Sequence, residues 1–100
     1  MEHDFSELYS HCPAIIEQMP ETFTTHQFIL KLAQQNQRLY MDALYSQRDK
    51  LHRGQAAPFM MVHRFLAQHL STLPNIVAEG QVASKDIFGR SNNCEQWRKR

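Results

Sequence analysis

The sequence predicts a single α+β domain that is mostly helical and ends in a β-hairpin. Three observations support this fold class. The chain has 100 residues, which is close to the commonest size of one domain. Apolar residues recur at three- and four-residue spacing over most of residues 5–73, as in helices packed on a core. After Pro74 this spacing stops, and β-branched residues with two glycines predict a pair of strands.

The first segment, residues 4–19, predicts an amphipathic helical stretch. Pro13 interrupts it, because proline lacks an N–H group and clashes with the preceding turn. Either one helix kinks there, or a second helix begins with Pro13 in its first turn. We interpret residues 1–20 as an N-terminal extension of a core that spans residues 21–99. The apolar stripe consists of Phe5, Leu8, Cys12, Ile15, Ile16 and Met19.

The strongest helical signal covers residues 25–46. Thr24 or Thr25 can cap its beginning by accepting hydrogen bonds from the free N–H groups of the first turn. Asn36 occupies a position where the next apolar residue is expected. The stretch therefore forms either one helix with a polar gap or two helices of about ten residues each. Its apolar stripe consists of Phe28, Ile29, Leu32, Ala33, Leu39, Tyr40, Ala43 and Leu44.

Residues 47–57 predict a long loop with little periodicity, which Pro58 ends. The next helix is predicted over residues 58–72, before Pro74. The side of this helix that faces the core carries apolar residues about one turn apart. Met60, if it is exposed, would mark an adaptable contact surface. The core-facing residues are Phe59, Val62, Leu66 and Leu70.

The hairpin is predicted over residues 82–97, with a loop of about five residues at 89–93. Alternation along its first strand is irregular, which predicts a β-bulge there. A capped helical turn that begins at Ser84 is the alternative for the stretch SKDIFG. Trp97 is expected to fill the core from the last strand, with Cys94 and Phe88 near it.

Composition narrows the class of protein. Hydrophobic residues make up 42% of the chain and charged residues 21%, which is ordinary for a globular domain. No apolar run approaches the roughly 20 residues that cross a bilayer, and the acidic start lacks the pattern of a secretion signal. We therefore expect a cytoplasmic protein without membrane contact. In that compartment Cys12 and Cys94 are expected to be free thiols.

The sequence contains no recognisable catalytic or metal-binding motif. No pair among its six histidines has the spacing of zinc ligands. A Gly-rich phosphate loop, a nucleophile elbow and a paired-carboxylate motif are all absent from the sequence. We expect no enzyme activity, no cofactor and no metal. His26 and His63 are expected to hold their helices in place by hydrogen bonding.

Charge is distributed unevenly along the chain. The net charge is +1, but residues 1–50 carry seven acids and four bases, a balance of −3. Residues 51–100 carry three acids and seven bases, a balance of +4. A basic half of this kind indicates a polyanionic partner.

The order of elements, together with the stretches FTTHQFI, LYMDAL, PFMMVHRFLAQHL, DIFG and CEQWRK, resembles small, largely uncharacterised bacterial proteins of winged helix-turn-helix fold. The resemblance covers about residues 21–99. It departs from the family in the 47–57 loop, where a helix-turn-helix has a turn of about three or four residues. It implies a winged-helix bundle of three or four helices that binds double-stranded DNA, such as a small transcriptional regulator.

The same resemblance implies a DNA-binding surface on the helix at 58–72 and on the hairpin. Arg64 and Gln68 would face the bases of the major groove, where arginine pairs with guanine and glutamine with adenine. Lys85 and Arg90 would contact phosphates from the wing. The remaining basic candidates follow in the last strand and the tail, and they are Arg98 and Lys99.

The alternative function is a protein-interaction domain that uses this fold without binding DNA. The simplest partner is a second copy packed through residues 4–19. Clustering of Arg64, Gln68, Lys85 and Arg90 on one face would favour DNA. Acidic side chains among them would favour the interaction domain.

Overall fold

A computed structural model describes residues 5–47 and 58–100 and confirms the α+β class. This part of the chain forms five helices and one antiparallel sheet of three strands. Except for Gln47, the loop predicted at 47–57 lies outside the described residues. The helices are α1 (Ser6–Ser10), α2 (Cys12–Gln18), α3 (Thr25–Gln35), α4 (Gln37–Gln47) and α5 (Pro58–Leu70), and the strands are β1 (Thr22–Thr24), β2 (Ile76–Lys85) and β3 (Ser91–Lys99).

A new helix begins beside Pro13, so that the second alternative for this segment is confirmed. α2 carries the proline in its first turn, where the missing N–H group costs no helical hydrogen bond. Leu8, Cys12 and Ile15 belong to the same hydrophobic core as the rest of the chain. The apolar face predicted to pair with a second copy is therefore buried within the chain itself, which argues against the homodimer contact.

The stretch around Asn36 ends one helix and begins the next. Asn36 leaves the helical conformation with φ −133° and ψ 53°. Its backbone N–H and its side-chain amide both donate to the Leu32 carbonyl, at 2.9 and 3.2 Å, and close the last turn of α3. The two-helix alternative for residues 25–46 is thus confirmed.

The sequence pattern does not predict β1, since three residues are too few to show alternation. The strand leads directly into α3, whose first turn is closed by a capping box. The Thr24 hydroxyl accepts from the Gln27 N–H at 3.1 Å, and the Gln27 side-chain oxygen accepts from the Thr24 N–H at 2.8 Å. The cap predicted at Thr24 is therefore confirmed.

The sheet has the strand order β1-β3-β2, with β3 in the centre. Its hairpin is longer than the predicted 82–97, because β2 begins at Ile76 and β3 continues to Lys99. β2 does contain a bulge, but it lies between Ala78 and Gln81, before the predicted hairpin at 82–97, and Gly80 has a φ of 106° there. The connecting turn lies at residues 86–90, a few residues before the predicted loop.

The core lies between the helices and the sheet. Val62, Leu66 and Leu70 project into it from α5, which ends two residues before the predicted Thr72. Trp97 is only 5% exposed and fills the core from β3, as predicted. Phe88 is 54% exposed, so the prediction that it packs near Trp97 is wrong. It belongs to the turn of the hairpin, beyond the end of both strands.

Candidate functional site

A groove of about 450 Å³ separates α5 from the β2–β3 hairpin. We call it the α5 groove. Along the helix it is lined by Met60, Arg64 and Gln68, which follow one another at one-turn spacing. The buried side chains of Thr25 and Trp97 close part of its inner wall. The hairpin adds the amide side chains of Gln81, Asn92 and Asn93.

The structure brings some of the predicted DNA-binding residues together and places others elsewhere. Arg64 and Gln68 share the α5 groove, and both are exposed. Lys85 and Arg90 are exposed on either side of the hairpin turn. The remaining two lie toward the far end of β3 and have other partners: the Arg98 side chain donates to a Glu79 carboxylate oxygen at 3.1 Å, and the Lys99 ammonium donates to the Glu17 carbonyl at 3.2 Å.

Two acidic side chains also line the α5 groove, and sequence reasoning did not single out either one. Asp86 is only 8% exposed, and Glu95 is half-buried. The Oε2 atom of Glu95 is buried and has no hydrogen-bond partner among the described residues. The test by charge proposed from the sequence therefore gives a divided result: Arg64 and Gln68 share the groove with these two acids, whereas Lys85 and Arg90 are not among its lining residues.

Asp86 organises the hairpin turn through hydrogen bonds to the backbone. Its Oδ1 accepts from the N–H groups of Phe88 and Arg90 at 2.9 and 3.0 Å. Such a turn is typical of aspartate, and Gly89 completes it with a φ of 83°. Burial by itself would raise the pKa of Asp86, but the Arg90 and Phe88 N–H groups lower it, as do the nearby imidazoles of His26 and His63. The net shift is downward, so the side chain is a carboxylate at neutral pH.

Two histidines connect the hairpin and α5 to neighbouring helices. His26 Nδ1 lies 3.0 Å from the Ser84 hydroxyl on β2, and His63 Nε2 lies 2.6 Å from the Tyr40 hydroxyl on α4. Burial lowers the pKa of His63 to about 4, against the opposing charge of Asp86, and raises the pKa of Tyr40 to about 12. Both groups are consequently neutral at pH 7, and one uncharged hydrogen bond joins them.

The hairpin turn is also held against α5 by ring stacking. The Phe88 ring lies nearly parallel to the His63 imidazole, with centroids 6.2 Å apart and an interplanar angle of 5°. The prediction that His26 and His63 hold local structure by hydrogen bonding is confirmed, although the partners lie on other elements. The DIFG stretch carried the signal for the Asp86 turn, because aspartate followed closely by glycine is typical of such turns.

We expect Asp86→Ala to loosen the hairpin turn and to lower the free energy of unfolding by about 1–3 kcal/mol, because two N–H groups lose their acceptor. Urea unfolding gives this free energy, and amide hydrogen exchange should accelerate at Phe88 and Arg90. Asp42→Ala, at an exposed position on α4, is the matched control and should stay within about 0.5 kcal/mol of the native protein. Unchanged exchange at both amides would contradict the role given to Asp86.

Comparison of the chain with protein-family models, with curated proteins and with solved structures gave no match in any of the three. Within residues 5–47 and 58–100, no helix is long and apolar enough to cross a membrane. The same residues contain no group of three histidine, cysteine, aspartate or glutamate side chains placed to hold a metal ion. Cys12 and Cys94 are both free thiols, as predicted.

Proposed function

We propose that this domain is a non-catalytic DNA-binding module of winged-helix type, acting in the cytoplasm as a small regulator. In this proposal α5 is the recognition helix and the β2–β3 hairpin is the wing. The observation that carries it is the exposure of Arg64 and Gln68 on α5, beside a hairpin that carries Lys85 at the end of β2 and Arg90 in its turn. Arginine and glutamine are the side chains that pair with guanine and adenine edges.

The charges on this face imply modest affinity that depends moderately on salt. Arg64, Lys85 and Arg90 are the exposed bases that this proposal uses, while Asp86 and Glu95 oppose them from within the groove. The two phosphate contacts, from Lys85 and Arg90, predict a slope of about −2 for the logarithm of affinity against the logarithm of salt concentration. Binding should therefore be clearest at low ionic strength.

Binding of random-sequence duplex DNA, followed by fluorescence anisotropy through a salt titration, tests the proposal. We expect Lys85→Ala to reduce affinity at low salt by about tenfold and to reduce the salt slope by about one, because one phosphate contact is lost. Arg90→Ala should reduce the slope similarly, whereas Arg64→Ala removes a base contact and should leave the slope nearly unchanged. Arg38→Ala, at an exposed position on α4, is the matched control and should change neither quantity. Absence of binding by the native protein at low salt would overturn the proposal.

A protein-interaction domain on the same fold is the second candidate, and the two acids in the α5 groove favour it. Carboxylates repel phosphates but attract the cationic side chains of a protein partner. The two functions predict opposite effects of Glu95→Gln. Removing this negative charge should strengthen binding to DNA and weaken binding to a basic partner, so one variant measured against both ligands separates them.

A further inference from the structure

The central strand β3 has a neighbour along only part of one edge. β1 pairs with it at three positions, from Thr22 opposite Arg98 to Thr24 opposite Gln96. β2 pairs with the other edge from Lys99 to Ser91. Among the described residues, no strand lies beside residues 91–95 on the edge where β1 stops. This open stretch borders the α5 groove, which Asn92, Asn93 and Glu95 help to line.

The strand pairing shows which backbone groups point toward this open edge. The Lys99 N–H donates to the Glu21 carbonyl at 2.8 Å, on the side of β1. The N–H and C=O groups of a strand point to one edge at every second residue. Glu95 and Asn93 therefore direct theirs to the edge that faces β1, as Lys99 does. The Glu95 carbonyl agrees with this, because it accepts from the Thr25 hydroxyl at 3.0 Å. Beyond Glu95 the edge offers a template for one more strand.

The α5 groove is lined by two carboxylates, Asp86 and Glu95, against one arginine, Arg64, and this balance indicates what such a strand would carry. The Oε2 atom of Glu95 is buried without a hydrogen-bond partner in the described part of the chain, and Asp86 adds a second carboxylate to the same groove. A carboxylate oxygen removed from water is costly unless a donor reaches it. A lysine or arginine side chain would supply both the donor and the opposite charge.

We propose that the α5 groove binds an extended, basic peptide segment of a partner protein, which adds to the sheet beside residues 91–95 of β3 in line with β1. A lysine or arginine of this segment reaches Glu95. Strand addition takes its affinity from main-chain hydrogen bonds and its specificity from pockets for alternate side chains. Met60 and Ala67 on α5 give the groove its apolar contacts. This inference rests on the second of the two proposed functions and names its partner.

Selection from a randomised heptapeptide display library tests the inference with the purified protein. We expect enriched sequences to place lysine or arginine among β-branched residues at alternate positions. A synthetic peptide of the most enriched sequence should lose about tenfold in affinity on Glu95→Gln, because a charge-assisted hydrogen bond is removed. Glu17→Gln, at an exposed position on α2, is the matched control and should bind as the native protein does. No enrichment, or affinity indifferent to Glu95→Gln, would overturn the inference.

Amide hydrogen exchange then tests the strand geometry. Peptide binding should slow exchange at Asn93 and Glu95, whose N–H groups point to the open edge, with little change at Asn92, which already faces β2. Equal protection at Asn92 and Asn93 would rule out strand addition. Slowed exchange at Asn93 with duplex DNA, and none with the selected peptide, would assign this edge to DNA. Peptide binding without DNA binding would leave this inference standing and overturn only the DNA-binding proposal.

Discussion

Replacing Trp97 with alanine is expected to lower the free energy of unfolding by about 3–5 kcal/mol, because a large buried side chain would leave a cavity at the centre of the sheet. Trp97 is 5% exposed and lies opposite Phe23 on β1 and Ala78 on β2. Its indole N–H donates to the Thr25 hydroxyl at 2.9 Å, so the substitution also removes this hydrogen bond. Equilibrium unfolding in urea measures the loss.

Two further variants separate the contributions of volume and hydrogen bonding at Trp97. Trp97→Phe retains an aromatic ring but lacks the N–H donor, and should lose less stability than the alanine variant. Leu30→Ala removes a side chain that is 42% exposed on α3, and should cost less than about 1 kcal/mol. An alanine variant as stable as the phenylalanine variant would show that Trp97 is not filling the core.

Acidification is expected to produce the second largest effect. Burial lowers the pKa of His63 to about 4 in the folded chain, against an ordinary value of 6.5. Between these two values the unfolded chain binds more protons than the folded chain, so stability falls as the pH falls. The stability that neutral His63 contributes is fully present above about pH 6.5 and is lost by about pH 4. The free energy of unfolding falls by up to about 3 kcal/mol over this range. The pKa of His26 is lowered by burial too, and it acts in the same direction.

The variant His63→Gln isolates this contribution. Glutamine does not titrate, and it can still hydrogen-bond to the Tyr40 hydroxyl that His63 contacts at 2.6 Å. Urea unfolding at several pH values between 4 and 7 should give a flatter stability profile for the variant than for the native protein. Parallel profiles would mean that His63 does not control the loss. Asp86, whose pKa is also lowered, loses its own contribution at still lower pH.

The helices were largely predictable because they are long and periodic. Repeated apolar spacing in α3, α4 and α5 indicated their core faces, and Asn36 marked the break between the first two. The position of Pro13 allowed two structures, and only packing decided between them. The stripe from Leu8 to Ile16 is equally compatible with a contact to another copy, because amphipathicity does not identify the surface that covers it.

The sheet was only partly predictable, for a different physical reason. β1 has three residues and pairs with a strand far along the chain, so no local pattern reports it. Phe88 was expected in the core because it is apolar, but Asp86 bends the chain into a turn that leaves the ring 54% exposed. At this position the hydrogen bonds of the turn, and not the hydrophobicity of the side chain, determine where the ring lies.

The candidate site was predictable from its bases and not from its acids. Arg64 and Gln68 lie one turn apart on α5, so their common face follows from helical geometry. Glu95 lies two residues before Trp97 on β3, so both side chains share one face of the strand, but the charge of Glu95 predicted a solvent-exposed position rather than one in a groove. Arg98 and Lys99 were grouped with the other bases by their charge, although the strand carries them away from the hairpin turn.

The pairing of β1 with β3 has a consequence for how the chain acquires its structure during synthesis. Thr24 pairs with Gln96, and 96 − 24 gives a separation of 72 residues. β1 therefore leaves the ribosome long before β3, the strand with which it pairs in this sheet. Contacts between such distant segments are slow to form. Truncation at residues 75–90, by a stop codon or a protease, would remove β3. β1 would then lose the strand with which it pairs, so a change near the C-terminal end of the chain would destabilise structure near its N-terminal end.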